Sequence, residues 1–431
     1  MCQNHPAGMA SLRQNLLRTV RRHPERPAVT YAVDNGPRRT DRQWHTLTWL
    51  EFAVLVEEVA IELDELCDPG STVAVLATTD ARYPILEQAV IVTGRRLQPL
   101  YTSTSDDELL RALNITSASV LVVGDDQSAR AHRGPLAAGL PASIKVIELS
   151  DVVRLPNTNG RRGGVLAAET EPFDTDQVRA NLSRWPERCS SDAVLYLQTT
   201  GTTRPAHVME ISQAAMLAAM HSLPEELLKP HPVLLSFLPT AHISERLLTG
   251  YVSVVLAGHI WFGAGTETLG TDLLHCKPTV FLAPPLVLEA LRSEAIAAAS
   301  TSLVGRHVLS SVAADAEQIR SQTLTGSNGR RLQSRMFGWL VRRKCGLDRA
   351  DIAIAGTAPL AADLHAWWEA LGLPLRNVYG QTEVSGATSM TRPTGSISGG
   401  VGRPLRGVEV SVRSMLATLG AVPETPPTLR C

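Results

Sequence analysis

The chain has 431 residues, 44% hydrophobic and 19% charged, with a formal net charge of −1. This is a globular mix, long enough for two or three lobes, and it excludes disordered and fibrous classes. The balance of 41 basic against 42 acidic residues excludes the electrostatic footprint of a general nucleic-acid binder.

From the N-terminus, Ser11 to Arg22 carries Leu12, Leu16, Leu17 and Val20 at helical spacing. A surface helix ahead of the turn at His23-Pro24-Glu25-Arg26-Pro27 fits this pattern, and an Arg-rich transit segment is the alternative. Pro27 to Val33 and Thr46 to Trp49 read as short strands. A helix follows, with Phe52, Val56, Val59, Leu63 and Leu66 on one face, and Thr48 with Glu51 has the spacing of a capping box. Pro69-Gly70 ends the unit, and Thr72 to Ala77 is an apolar strand. Ser105 and Glu108 predict a second capping box on a helix through Leu113, before a buried-type strand at Val120 to Val123. Asn157 to Gly164 reads as a surface loop or boundary. A second series begins near Asp192, with strands at Ala193 to Leu197, Val233 to Phe237, Thr279 to Leu282 and Asp351 to Ala355; Thr323 to Arg331 reads as a connector. Alternating strands and helices predict an α/β fold with largely parallel sheets in two lobes, over 1–180 and 181–413.

The cysteines Cys2, Cys67, Cys189, Cys276, Cys345 and Cys431 form no CxxC pair, and no histidine cluster has zinc spacing. Unpaired, inert thiols in a reducing cytoplasm are expected. The most apolar run, Leu247 to Phe262, is broken by Gly250, Gly258 and His259 and falls short of the ~20 residues of a membrane span. A cytoplasmic protein without a transmembrane segment is expected, with peripheral membrane contact left open.

Four segments carry chemistry. Thr199-Thr200-Gly201-Thr202-Thr203 follows a strand, and small hydroxyl residues around a glycine let backbone N–H groups approach a phosphate. A Thr/Gly turn with no ligand has the same look. Leu238-Pro239-Thr240-Ala241-His242-Ile243-Ser244-Glu245-Arg246 runs from a strand through a proline to a helix start bearing His242, which either lines a pocket or is a packed histidine. Gly356-Thr357-Ala358-Pro359-Leu360 is an apolar strand breaking into a glycine turn. Such strand ends face ligands in open α/β sheets, though ordinary strand-to-helix turns share the pattern. Tyr379-Gly380-Gln381-Thr382-Glu383 places a flat ring for a purine, a hydroxyl for a phosphate and a hard oxygen for Mg²⁺ within five residues, with an ordinary surface turn as the alternative.

In this order and approximate separation the segments resemble the adenylate-forming (AMP-binding) superfamily, which includes acyl-CoA synthetases, peptide-synthetase adenylation domains and luciferases. The His-Ile-x-Glu-Arg form at His242 to Arg246 is most similar to long-chain fatty acyl-CoA synthetases. Pro278 to Leu291 and Gly400 to Val410 also resemble family segments, and the likeness spans about residues 11 to 412. The resemblance implies two α/β lobes plus a small β-barrel. It further implies ATP, Mg²⁺ and coenzyme A as reactants, a fatty acid as substrate, and acyl-AMP then acyl-CoA as products. Carried over, Thr199, Thr200, Gly201, Thr202 and Thr203 would cradle the β- and γ-phosphates. Gly356, Thr357, Ala358 and Pro359 would line the nucleotide site with Gly380 and Gln381, and Tyr379 would stack on adenine. Thr382 would meet the α-phosphate, Glu383 would hold Mg²⁺, and His242 would border the acyl group.

Two departures qualify the resemblance. After Thr203 the sequence reads Arg204-Pro205-Ala206-His207, one residue shorter than the family's Gly-x-Pro-Lys-Gly and without its lysine. Past Arg413 the sequence turns into an atypical, proline-rich tail over 414–431, with no aspartate after Asp363 and no lysine after Lys344. The family's C-terminal lid domain is therefore expected to be absent, with activity impaired. A catalytically inactive nucleotide- or acyl-binding module is the alternative reading.

Overall fold

The computed structural model describes residues 10–33, 43–156, 173–199, 207–263, 265–321, 338–392 and 400–411. Local chemistry sets the first elements. Ser11 and Gln14 cap helix α1 (Leu12–Arg22) reciprocally. Thr48 and Glu51 do the same for α2 (Trp49–Leu66): the Glu51 N–H donates to Thr48 Oγ1 at 3.2 Å, and the Thr48 N–H donates to Glu51 Oε2 at 2.8 Å. The second predicted box is half-formed. Ser105 accepts from the Glu108 N–H at the start of a helix over Asp106–Thr116, but the Glu108 carboxylate takes the Ser105 hydroxyl instead of its backbone N–H.

The described strands form three sheets. Numbered in chain order, the first contains β1 (Pro27–Val33) and β2 (Gln43–Thr48), joined by β9 (Val233–Ser236) and β10 (His259–Phe262) in the order β2-β1-β10-β9. The second has the order β6-β5-β3-β4-β7-β8. Its members are β3 (Thr72–Leu76), β4 (Arg96–Leu100), β5 (Ala118–Val123), β6 (Lys145–Glu148), β7 (Ala193–Gln198) and β8 (Val208–Ser212). The third runs in sequence order through β11 (Val280–Ala283), β12 (Ile352–Ala355), β13 (Leu375–Gln381), β14 (Gly386–Met390) and β15 (Arg403–Pro404). Parallel pairing dominates, with antiparallel strands at the edges β2 and β8 and in the β13-β14-β15 meander. This is the α/β architecture expected from the sequence. All three sheets are open among the described residues, so the small closed barrel implied by the resemblance is not seen.

Sheet membership crosses residue 180: β7 and β8 complete the sheet begun by β3, and β1 pairs in parallel with β10. A helix over Arg82–Val92, here α3, lies at the centre. Nearly every side chain on it is buried, including Glu87 and Gln88. A helix apolar all round belongs in a core, and two polar residues there need partners. Among the described residues no helix is long and apolar enough to cross a membrane. Cys67, Cys276 and Cys345 are free thiols, whereas Cys189 is in a disulfide, which corrects the expectation of unpaired cysteines at that position.

Candidate functional site

The segments at β12, at β13 and after β9 meet at one cavity of about 400 Å³, a normal size for a small-molecule site. Eight of the residues singled out from the sequence line it: Thr199, His242, Gly356, Thr357, Gly380, Gln381, Thr382 and Glu383. Tyr379, Ala358 and Pro359 are not in its lining. Tyr379 is 46% exposed on β13, and its hydroxyl accepts from Gln381 Nε2 at 2.7 Å. Ala358 and Pro359 are exposed just past the end of β12. Thr200, Gly201, Thr202 and Thr203 lie outside the described residues, as do Arg204 to Ala206, the expected connector at 323–331, the 157–164 loop and the tail over 414–431.

Each cavity residue is placed by its element. β12 is wholly buried, so Ile354 projects apolar surface and Gly356 opens the turn at the strand's end. Thr357 has φ +70°, a left-handed backbone that a β-branched residue adopts only under strain. Thr382 to Val384 forms a short 3-10 turn between β13 and β14, and it sets Thr382 and Glu383 at the cavity's edge. Gly380 fits the close approach of the two strands, since a Cβ there would lie 2.1 Å from the Gly386 carbonyl oxygen. At the neck of the β7–β8 hairpin, the Thr199 N–H donates to the His207 carbonyl at 2.9 Å, and the His207 N–H donates to Thr199 Oγ1 at 3.3 Å.

His242 caps the helix that follows the β9 turn, as expected, with its Nδ1 accepting from the Ser244 N–H at 3.2 Å. Accepting at Nδ1 leaves the neutral ring's proton on Nε2. Burial pushes the His242 pKa below its usual value, so the ring is held neutral. The other half of the cavity is apolar and was not assigned to a site from the sequence: Leu223, Leu227, Ile243, Leu247, Leu248, Leu282, Ile354 and Met390. Their hydrophobicity is equally that of a core, so only the fold separates the two uses.

The donor set fits Mg²⁺ bound together with a phosphate. Among the described residues Glu383 is the one carboxylate in the lining, which also holds the hydroxyls of Thr199, Thr357 and Thr382. Mg²⁺ is characteristically held by one or two carboxylates plus substrate phosphates. Among the described residues no cluster of three or more His, Cys, Asp or Glu could hold a metal unaided.

A larger cavity, about 990 Å³, opens at the C-terminal ends of β1, β3, β4, β9 and β10. It contains none of the sequence-predicted site residues, although Pro239, Thr240 and Ala241 line it next to His242. The smaller cavity is the candidate site because the candidate residues converge there.

Residues 16–423 match the AMP-binding enzyme family. Long-chain-fatty-acid–CoA ligase FadD15 of Mycobacterium bovis is 27% identical over 86% of this chain and 61% of its own length. Long-chain-fatty-acid–CoA ligase 1 of Homo sapiens is 25% identical over 86% of this chain and 55% of its own. The chain thus spans under two thirds of the length of these relatives. Among solved structures, ATP-bound MatB from Rhodopseudomonas palustris superposes with a TM-score of 0.61 at 17% identity, covering 92% of this chain and 65% of that one. At that identity the likeness speaks for the fold.

Proposed function

Since the chain belongs to the AMP-binding enzyme family, we propose that it activates a long-chain fatty acid with ATP, giving acyl-AMP and pyrophosphate, and that the thiol of coenzyme A then takes the acyl group as AMP leaves. The observation that carries this reading is the convergence of Thr199, His242, Gly356–Thr357 and Gly380–Glu383 on one cavity with an apolar half. Long-chain substrates are suggested by the names of the relatives in Mycobacterium bovis and Homo sapiens.

In this reading, an acid carboxylate attacks the α-phosphate, and the P–O bond to pyrophosphate breaks. Thr382 donates to the α-phosphate, and Thr199 lies at the end where the β- and γ-phosphates leave. Glu383 and these phosphates would hold Mg²⁺, which when bound offsets the charge that builds on phosphate oxygens. Neutral His242 presents Nε2–H to the acid, orienting its carboxylate without neutralising it. Gly356 and Thr357 border the nucleotide, and the exposed face of Tyr379 packs on adenine when ATP binds. Leu247, Leu248 and Met390 exclude water from the alkyl chain.

The test is isothermal titration with MgATP and with palmitate, followed by pyrophosphate release when both are present. Binding of each ligand and acid-dependent pyrophosphate release are the expected result. No binding of either ligand overturns the reading.

A further inference from the structure

Outside the cavity, the molecule holds a fully buried ionic cluster with no part in the chemistry above. On α3 sit Tyr83 and Glu87; on the helix after His242 sit Glu245 and Arg246. Arg246 Nη1 donates to Glu87 Oε2 at 2.6 Å, with the two side chains 2% and 0% exposed. The Arg246 guanidinium also lies 4.4 Å from the centre of the Tyr83 ring. The Ser236 hydroxyl, at the end of β9, donates to Glu245 Oε1. Desolvating such a cluster is expensive, and apolar residues of the same volume are often no less stabilising. Stability alone is therefore a weak reason for it.

Its location suggests another. Residues 243–255 form one continuous helix whose middle, Arg246–Val252, is π-wound, a rare geometry frequent at functional sites. On one side, the pairs Ile243/Leu247 and Ser244/Leu248 face the candidate cavity. On the other, Glu245 and Arg246 bind β9 and α3. Gln88 Nε2 donates to the Gly250 carbonyl at 2.9 Å, taking up a backbone acceptor within the π-wound stretch. A Cβ at Gly250 would lie 2.5 Å from Glu87 Oε2, so the helix and α3 meet with no room between them.

We propose that Glu87, Arg246 and Glu245 are positioning residues that clamp the π-wound helix to α3 and β9, and so fix the His242–Leu248 wall against which the acid is held. The role assigned to that wall rests on the acyl-activating reading. The clamp acts mainly on the acid side of the cavity, since Gly356 and Thr357 follow β12, and Thr382 and Glu383 follow β13, outside the clamped helix.

The experiment compares Glu87→Gln, which weakens the ion pair, with Gly250→Ala, which displaces Glu87 without altering any charge. Both are checked for folding by circular dichroism. The clamp predicts that KM for palmitate rises on the order of tenfold or more in Glu87→Gln, as a displaced binding wall does, and by less in Gly250→Ala. KM for MgATP stays within about twofold. Hydrogen exchange over 243–255 quickens in both variants. Equal changes in the two KM values, or none, overturn the proposal. If the wild-type chain binds neither ligand, the functional reading fails separately, and exchange decides the clamp: unchanged protection over 243–255 in Gly250→Ala overturns it, faster exchange supports it.

Discussion

The backbone N–H of Ser244 donates to Nδ1 of His242, so a single helix-capping bond sets the tautomer of the histidine at the cavity wall. If His242 orients the acid, His242→Ala should raise KM for palmitate roughly tenfold, the size of one hydrogen bond to a charged group. KM for MgATP should hold within twofold. Folding depresses this ring's pKa from its usual 6.5, so the unfolded chain takes the proton first as pH falls. Its contribution to stability is full above 6.5 and is lost as pH falls toward the folded value. Nitrogen NMR of the labelled ring should show Nε2–H at neutral pH, and an Nδ1–H tautomer would contradict the assignment.

Glu383 is the one carboxylate lining the cavity among the described residues. Glu383→Gln keeps the shape and removes the charge, so ATP affinity in the presence of Mg²⁺ should fall on the order of 10- to 100-fold, as when a metal-site group is lost. Affinity for ATP in EDTA should barely move. Titration calorimetry under the two conditions measures both, and an unchanged Mg²⁺ effect would remove Glu383 from the role.

Glu245 faces Ser236, Thr249, Arg246 and, across the cluster, Glu87 from α3, while Tyr83 and Tyr251 lie against Glu87 and Arg246. Two carboxylates share one guanidinium there. Glu87 carries the direct bond to Arg246, and burial raises both carboxyls, pushing Glu245 up from 4.5 to about 7. A raised folded value means the folded state binds this proton more tightly. The contribution to stability is full below 4.5 and is lost as pH rises through 7. Thermal melts between pH 5 and 8 should fall less steeply for Glu245→Gln, a neutral isostere of the protonated side chain. Parallel melting curves for the two proteins would place the proton elsewhere.

Much of this was readable from local pattern. Thr48 and Glu51 three residues apart announced a helix start, and the proline turn before His242 announced another, because capping is a short-range contact. The ordered motifs at 199, 242, 356 and 380–383 fall on one cavity, and they stood out in the sequence because each combines backbone and side-chain chemistry within a few residues. Pairing of β1 with β10 was not readable: two apolar strands far apart in the chain carry no mark of their partner. The π-wound stretch at 246–252 was hidden for a related reason, as the residues it packs on, Glu87 and Gln88, lie on another helix. Leu247 and Leu248 stood out only as part of an apolar run, because a cavity-lining leucine and a packed one have the same hydrophobicity.

Tyr379 shows how a motif residue and its cavity can separate. Its ring stands on β13 outside the lining, 46% exposed, with the hydroxyl tied to Gln381. An exposed aromatic face supplies stacking worth about 1–3 kcal/mol per base by alanine substitution. Tyr379→Ala should therefore weaken ATP binding roughly tenfold, whereas Tyr379→Phe should stay within twofold. ATP affinity unchanged in the alanine variant would mean the adenine lies against another surface.

Thr357 gives the sharpest separation of stability from binding. A β-branched residue at φ +70° carries strain of about 1–2 kcal/mol, which glycine does not. Glycine costs about 0.5–1 kcal/mol in unfolded-chain entropy, so Thr357→Gly should leave Tm unchanged or slightly higher. The hydroxyl at the cavity is lost, however, and MgATP affinity should drop several-fold. Thr357→Ser retains both hydroxyl and strain, and should bind ATP like the wild type with no gain in Tm. The pair isolates what the strained backbone holds in place. If Thr357→Gly binds ATP as tightly as Thr357→Ser, the hydroxyl does not touch the nucleotide, and the strain serves only the turn after β12.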